Sequence, residues 1–361
     1  MSFLRHLPKQ RKGRRRGPFV VGALLLLHSP LSPAATRPFL QLDSLTWSGP
    51  VSLHAALNKW QTRDFHPGKR QFTTQWLETG LRHDSGWGIS LLYRYDYSLR
   101  FTSDTAIYYH RSQNGAAIAD GQYNLGLAVS HFAATGLRIE KRLHHSGTSA
   151  TLNLGVSYLR AGDLLDGEIR GDTRRATIDY HYAEDKLFGR KVAAPEGRLL
   201  SLDAAFSWQP SERLHLEGHI RDLYGLIIWR QAPRAIATAD AQRSNTDAAG
   251  ITSLEPLVSG RELTEARWRQ TLSPRLFLST QYDVGKRTSL ALLTRHLDNA
   301  TYWAGGIAWA SRGGKSEIDY WPALRMTTVT YATQRWKFKL GADSLDDRRF
   351  RSLSLGISLQ Y

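Results

Sequence analysis

The sequence predicts an all-β fold: a closed antiparallel transmembrane β-barrel of about 16 strands, with about 14 to 18 allowed and an even number expected, as in single-chain barrels of bacteria. Three observations predict it. Apolar and polar residues alternate with a period of two through most of the chain, which is strand periodicity and not helix periodicity. Aromatic residues make up 11 % of the 361 residues while mean hydropathy is −0.40, so Trp and Tyr are abundant without a mature segment apolar enough to be a membrane helix. Connections alternate between tight turns and long polar stretches, the arrangement that short turns at one end of a barrel and longer loops at the other require.

The elements follow in chain order. Arg5, Lys9, Arg11, Lys12, Arg14, Arg15 and Arg16 form a basic head, Phe19 to Leu27 an apolar run, and Ser32-Pro33-Ala34-Ala35 a small-residue cleavage site. This is the pattern of a secretory signal peptide. Nine apolar residues cannot cross a hydrocarbon core that needs about 20. Residues 1–35 are therefore expected to be removed on export, leaving 36–361 as a single barrel domain. Gly17-Pro18 after the paired arginines departs from a twin-arginine signal. The chain has no cysteine, which excludes disulfides, thiolate metal sites, a thiol nucleophile and a lipoprotein anchor. The formal charge of +16 falls to about +9 without residues 1–35, 41 basic against 32 acidic, and is scattered, which argues against a nucleic-acid partner.

Strands are read from the alternation. Trp87, Ile89, Leu91, Tyr93, Tyr95 and Tyr97 oppose Gly88, Ser90, Leu92, Arg94, Asp96 and Ser98. Tyr123, Leu125, Leu127 and Val129 form the next apolar face, then Leu152, Leu154, Val156 and Tyr158, then Leu200, Leu202, Ala204, Phe206 and Trp208. Helical spacing would place Arg94 and Asp96 among the apolar residues, so the strand reading wins. Gln209-Pro210-Ser211-Glu212, Leu272-Ser273-Pro274-Arg275 and Val284-Gly285-Lys286-Arg287 read as tight turns. About Ala183 to Arg198 and about Arg230 to Gly250 read as long polar connections, the second a candidate to fold into the lumen or to remain an outer loop. Trp87, Tyr97, Trp208, Trp309 and Tyr361 near strand ends fit an aromatic girdle better than the Val/Ile/Leu core of a soluble sandwich.

The polar faces supply the lumen candidates: Arg138, Glu140 and Arg142 on one strand, Arg175, Asp179 and His181 on another, and Arg213, His215, Glu217, His219 and Arg221 on a third. Arg or Lys facing hydrocarbon at mid-depth would cost about 2–4 kcal/mol each. Turned inward, these groups line either a cation-rich passage or an interior closed by salt bridges. The passage reading rests on the strand count, since about 16 strands leave an aqueous channel.

The last strand carries Leu353, Leu355, Ile357 and Leu359 on one face and ends in Tyr361. This resembles the C-terminal assembly signal of Gram-negative outer-membrane β-barrels, and the resemblance to that class extends over residues 36–361. It implies an outer-membrane location, recognition by the barrel-assembly machinery, and contact with outer-membrane lipid and lipopolysaccharide, with self-association into a homo-oligomer left open. The function it implies is a porin-like channel for passive passage of small polar or anionic solutes. The alternative is a structural or binding barrel within an export or conjugation assembly.

An enzyme is not expected. His83-Asp84-Ser85-Gly86 resembles part of the outer-membrane phospholipase motif but lacks its Asn and reads equally as a turn, and Asp346-Asp347 reads as a solvated loop. His144 and His145 face opposite sides of a strand, and His215 and His219 are about 13 Å apart at ~3.3 Å per residue. Neither pair suits a metal, and no cofactor is expected.

Overall fold

The computed structural model describes residues 36–118, 123–144, 149–184, 192–240, 244–246, 252–254, 257–346 and 348–360. The expected signal peptide, His145, Asp347 and Tyr361 lie outside them. Eighteen strands are formed: β1 (Thr36–Ser48), β2 (Arg70–His83), β3 (Trp87–Phe101), β4 (Asn124–His144), β5 (Thr151–Asp172), β6 (Arg175–Tyr182), β7 (Glu196–Ser211), β8 (Leu214–Asp240), β9 (Ser244–Thr246), β10 (Thr252–Leu254), β11 (Leu257–Thr271), β12 (Arg275–Asp283), β13 (Thr288–Leu297), β14 (Ala300–Ser311), β15 (Gly314–Trp321), β16 (Met326–Ala332), β17 (Trp336–Ala342) and β18 (Ser352–Gln360). β9 and β10 pair only with each other. The rest form one antiparallel sheet that closes where β1 meets β18, from Phe39↔Gln360 to Trp47↔Ser352.

Fourteen staves go round the barrel, because two of them are each made of two strands end to end. β6 and β7 both lie between β5 and β8, and β11 and β12 both lie along the other edge of β8. Three sequence expectations are corrected here. Leu272-Ser273-Pro274-Arg275 does not reverse the chain; it is a break within one stave. Pro274 has no N–H for the ladder, and the facing part of β8 bulges at Asp222, whose φ is 56°; proline in a sheet is confined to such places. The expected connection from Ala183 to Arg198 likewise does not separate two staves: β6 ends at Tyr182 and β7 begins at Glu196 along the same edge of β8. There the neighbouring strands take left-handed conformations at Asp163 (φ 55°) and Gln231 (φ 51°). Arg230 to Asp240 is not loop but the upper part of β8.

Short turns join the strands at the end where β1 begins and β18 finishes, for example 84–86, 212–213 and 312–313, whereas residues 49–69 and 102–118 lie at the opposite end. The latter carry helices α1 (Leu53–Leu57) and α2 (Ser103–Gln113). α2 starts at Thr102, whose side chain accepts the Thr105 N–H, and docks through Ala106 and Tyr109 against Trp60, Val51 and Phe101.

The outer face is apolar. Ile89, Leu91, Ile139, Val156, Leu292, Ile307, Val329 and Leu340 all project outward and exposed. Trp87, Trp208, Tyr282, Trp309 and Trp336 ring the short-turn end of this belt, and Tyr158, Tyr224, Trp303 and Tyr320 stand farther up. On β18, Leu353, Leu355, Ile357 and Leu359 share this outer face while Ser352 and Ser354 are buried inside. In water so large an apolar surface would be sticky; against lipid it is the favourable side of the alternation.

Candidate functional site

The interior is where the charged residues meet. Arg94 on β3 is among the deepest of them, with 1 % of its side chain exposed, and it donates two hydrogen bonds to Asp222 (2.7 and 2.8 Å) and one to Asp96 (2.9 Å). Asp96 also receives Arg275 from β12. The left-handed bulge in β8 makes this layer: it turns two consecutive residues, Arg221 and Asp222, into the lumen, and leaves Leu223 and Tyr224 both exposed outside. Asp is one of the few residues that adopts this conformation readily. The Asp222 N–H is held by Asp203 Oδ1 at 3.0 Å.

Trp76 on β2 lies between two guanidinium groups, that of Arg221 at 4.4 Å and that of Arg94 at 5.4 Å from its ring centre. Arg221 reaches Asp43 at 3.3 Å, and Lys339 and Arg295 approach the same carboxylate at 3.7 and 3.9 Å. One layer nearer the short-turn end, Arg138 bridges Glu140 (2.6 Å), Glu78 (3.2 Å) and Asp203 (3.5 Å). Glu78 also accepts the Trp76 indole N–H at 3.0 Å and the Ser90 hydroxyl at 2.7 Å.

Two apolar clusters inside the wall pack on either side of these ions. One contains Leu92, Phe132, Leu159, Leu199, Ile227 and Trp229, the other Leu45, Phe72, Leu293, Trp321 and Met326. Together they form a septum across the lumen. Below it, toward the short turns, lies a cavity of about 310 Å³ lined by Asp43, Glu217, His219, Arg221, Arg295, Glu317, Asp319, Lys337 and Lys339 among others. Above it lies one of about 440 Å³ whose charged lining is Asp96, Arg100, Asp166, Glu168, Asp179, His181, Arg234, Arg275 and Asp298. Among the described residues none lines both.

The sequence candidates fall into three groups. Arg138, Glu140, His219 and Arg221 are inside and in or next to the septum, while Glu217 lines the lower cavity and pairs with His215 at 2.9 Å near the lower mouth. Asp179 is joined to Arg234 at 2.7 Å, and His181 stacks on Trp268 with ring centres 4.0 Å apart in the upper cavity. Arg142 and Arg175 are exposed at opposite rims. Arg213 is in the exposed turn before β8 and not on its strand, because β8 begins only at Leu214. Sequence reasoning passed over Trp76, Glu78, Arg275, Arg295 and Lys339, and left Arg94, Asp96 and Asp203 as unassigned polar-face residues. The signal for Asp222 was the break in alternation at Leu223-Tyr224.

At the short-turn end, His83 Nδ1 lies 2.7 Å from Ser85 Oγ and accepts the Ser85 N–H at 3.1 Å, while Asp84 pairs with Arg37 at 3.4 Å. This is a turn closing on itself, with its acid directed away from the histidine. Among the described residues no group of three or more His, Asp or Glu is placed to hold a metal ion.

A closed wall with an apolar exterior around a polar, ion-paired interior defines a membrane-spanning β-barrel. No protein-family model and no curated protein matches the chain. Among solved structures it is similar to the Pseudomonas putida toluene transporter TodX, at 10 % identity over 94 % of this chain and 92 % of that one, with a TM-score of 0.42. It is also similar to the CymD monoaromatic hydrocarbon channel (9 %, 95 % and 92 %, TM-score 0.41). A third is the translocator domain of the autotransporter NalP from Neisseria meningitidis (12 %, 94 % and 92 %, TM-score 0.31). Likeness at this level carries no information on substrate.

Proposed function

We propose that this chain is an outer-membrane barrel of a Gram-negative bacterium, exported and trimmed at its N-terminus, which admits small polar solutes and is closed at mid-depth in the conformation described. One observation supports this reading above others: two polar cavities occupy the lumen on opposite sides of a single layer built from Arg94, Asp96, Asp222, Arg221, Asp43 and Trp76. A barrel that never conducted would have no need for hollow, charged vestibules on both sides of its seal. Displacing a few side chains would join them.

The anion preference drawn from the candidate strands does not extend to the lining as a whole. The lower cavity sets Arg221, Arg295, Lys337 and Lys339 against Asp43, Glu217, Glu317 and Asp319. The upper sets Arg100, Arg234 and Arg275 against Asp96, Asp166, Glu168, Asp179 and Asp298. Fields of opposite sign largely cancel below, and the upper mouth is acidic, so the passage is read as neutral to weakly cation-favouring.

The second reading is a permanently closed barrel serving as a structural or binding part of an envelope assembly. The near-zero exposure of Arg94 and Asp222 favours it. Planar-bilayer recording separates the two. Wild type should conduct rarely or at low level, and Trp76→Ala with Arg221→Ala should conduct openly with reversal potentials near zero or on the cation side. Silence from both, in preparations that run as folded heat-modifiable bands, would leave the structural reading.

A further inference from the structure

Five arginines stand on the outer surface of four adjacent staves where the apolar belt ends. They are Arg160 on β5, Arg198 on β7, Arg230 on β8, and Arg267 and Arg269 on β11, all exposed. The register makes them one patch. Arg160 lies opposite Arg198, Arg198 opposite Ile228, and Ile228 opposite Arg269. Arg230 lies opposite Arg267 on one side and Glu196 on the other. Among the described residues Glu196 is the single acidic neighbour in this register, and it is engaged by Arg160 at 2.9 Å. Arg198, Arg230, Arg267 and Arg269 have no ion pair among the described residues. Like charges placed directly opposite one another in a sheet are unfavourable, so an arrangement of this kind calls for a counter-charge from outside the chain.

Its height identifies the source. From Trp208, in the girdle at the short-turn end, to Arg198 on the same strand is ten residue steps, about 33 Å along the strand at ~3.3 Å each. With a tilt of about 35–45° that is roughly 25 Å along the barrel axis, the height of an outer-membrane apolar band. Leu200, Leu202, Leu223, Tyr224 and Tyr158 fill the outer face just beneath the arginines. The patch thus sits at headgroup level, at the end crossed by the longer connections. Arginine forks match phosphate oxygens in bidentate geometry.

We propose that this patch is a binding site for phosphorylated glycolipid of the outer leaflet, two or more phosphates of one headgroup lying across the four staves with their acyl chains on the belt below. The inference rests on the membrane reading above.

The test places wild type, Glu196→Gln, and the combined variant Arg198→Gln, Arg230→Gln, Arg267→Gln, Arg269→Gln in phosphatidylcholine nanodiscs containing bis-phosphorylated lipid A or its dephosphorylated form. Retained glycolipid is read by native mass spectrometry. Each arginine near an anionic surface is worth about fivefold in affinity, so the combined variant should lose retention by roughly a hundredfold or more. Wild type should discriminate against the dephosphorylated lipid, and Glu196→Gln, which removes the competing carboxylate, should retain more. Equal retention by wild type and the combined variant would overturn the site, as would displacement of the lipid by millimolar inorganic phosphate. If the combined variant failed to fold, unchanged or weaker retention by Glu196→Gln would overturn it alone. Failure of wild type to insert into pure phosphatidylcholine would instead reject the membrane reading itself.

Discussion

Replacing Arg94 by Met tests whether the septum holds as a unit. The substitution keeps a long apolar stem between Trp76 and Phe132 but removes three charge-assisted hydrogen bonds, two to Asp222 and one to Asp96. Asp96 keeps Arg275. Asp222 does not keep a cation: fully buried, it retains the Ser201 hydroxyl at 2.8 Å as its side-chain donor. Breaking a buried pair by removing one partner costs about 3–5 kcal/mol, mostly through the orphaned charge. Neutralising that charge as well, with Asp222→Asn, should recover most of the loss and leave about 1–3 kcal/mol for imperfectly paired amide groups. Urea unfolding in lipid vesicles, followed by tryptophan fluorescence, gives all four corners of the cycle. Losses from the two single variants that simply add, within about 0.5 kcal/mol, would mean that the pair is not coupled. The ion layer would then be no more than polar filling.

Two further outcomes are expected. Burial pushes Tyr109 in the α2 cap up to about 12 and Tyr108 in the same direction. A raised phenol favours the folded cap below the ordinary value near 10 and ceases to do so as pH rises through the folded value. Residues 102–118 should therefore become protease-sensitive between about pH 10 and 12, and Tyr109→Phe should remain docked over that range; equal release in both proteins would refute it. Changing Ile357 and Leu359 to Asp, or deleting Tyr361, should prevent assembly and leave unfolded protein to periplasmic degradation; normal outer-membrane levels with a heat-modifiable band would refute that.

The barrel was legible because its wall obeys the simplest rule of a strand. Trp87, Ile89, Leu91 and Tyr93, and Leu353, Leu355, Ile357 and Leu359, recur at every second position, and the structure sets these side chains outward, with Leu92 an apolar residue on the inner face of the first run. What escaped the sequence lies where alternation fails. Asp163, Asp222 and Gln231 take left-handed conformations that shift the inward face by one residue, and nothing in a period-two count foretells which residue does so. Pro274 looks like a turn residue, and whether it reverses the chain or merely interrupts a ladder depends on the bulge facing it on a strand fifty residues earlier. The septum was hidden for a related reason. Arg94, Asp222 and Asp43 come from three strands far apart in sequence, and only closure of the barrel brings them within hydrogen-bonding distance or one ion pair of each other. The observed fourteen staves lie at the lower end of the expected 14 to 18, because the residues between β6 and β7 and between β11 and β12 lengthen the chain without adding a stave.

Those two breaks separate dimensions that barrels ordinarily couple. Both halves of each broken stave run in the same direction and rejoin the antiparallel ladder of β8, while β5 runs unbroken past one join and β8 past both. Residues gained or lost at a join therefore alter how far the wall stands above the lipid, but leave the pairing beneath it, the number of staves and the girth of the lumen as they were. The height of this barrel can drift while its circumference stays fixed.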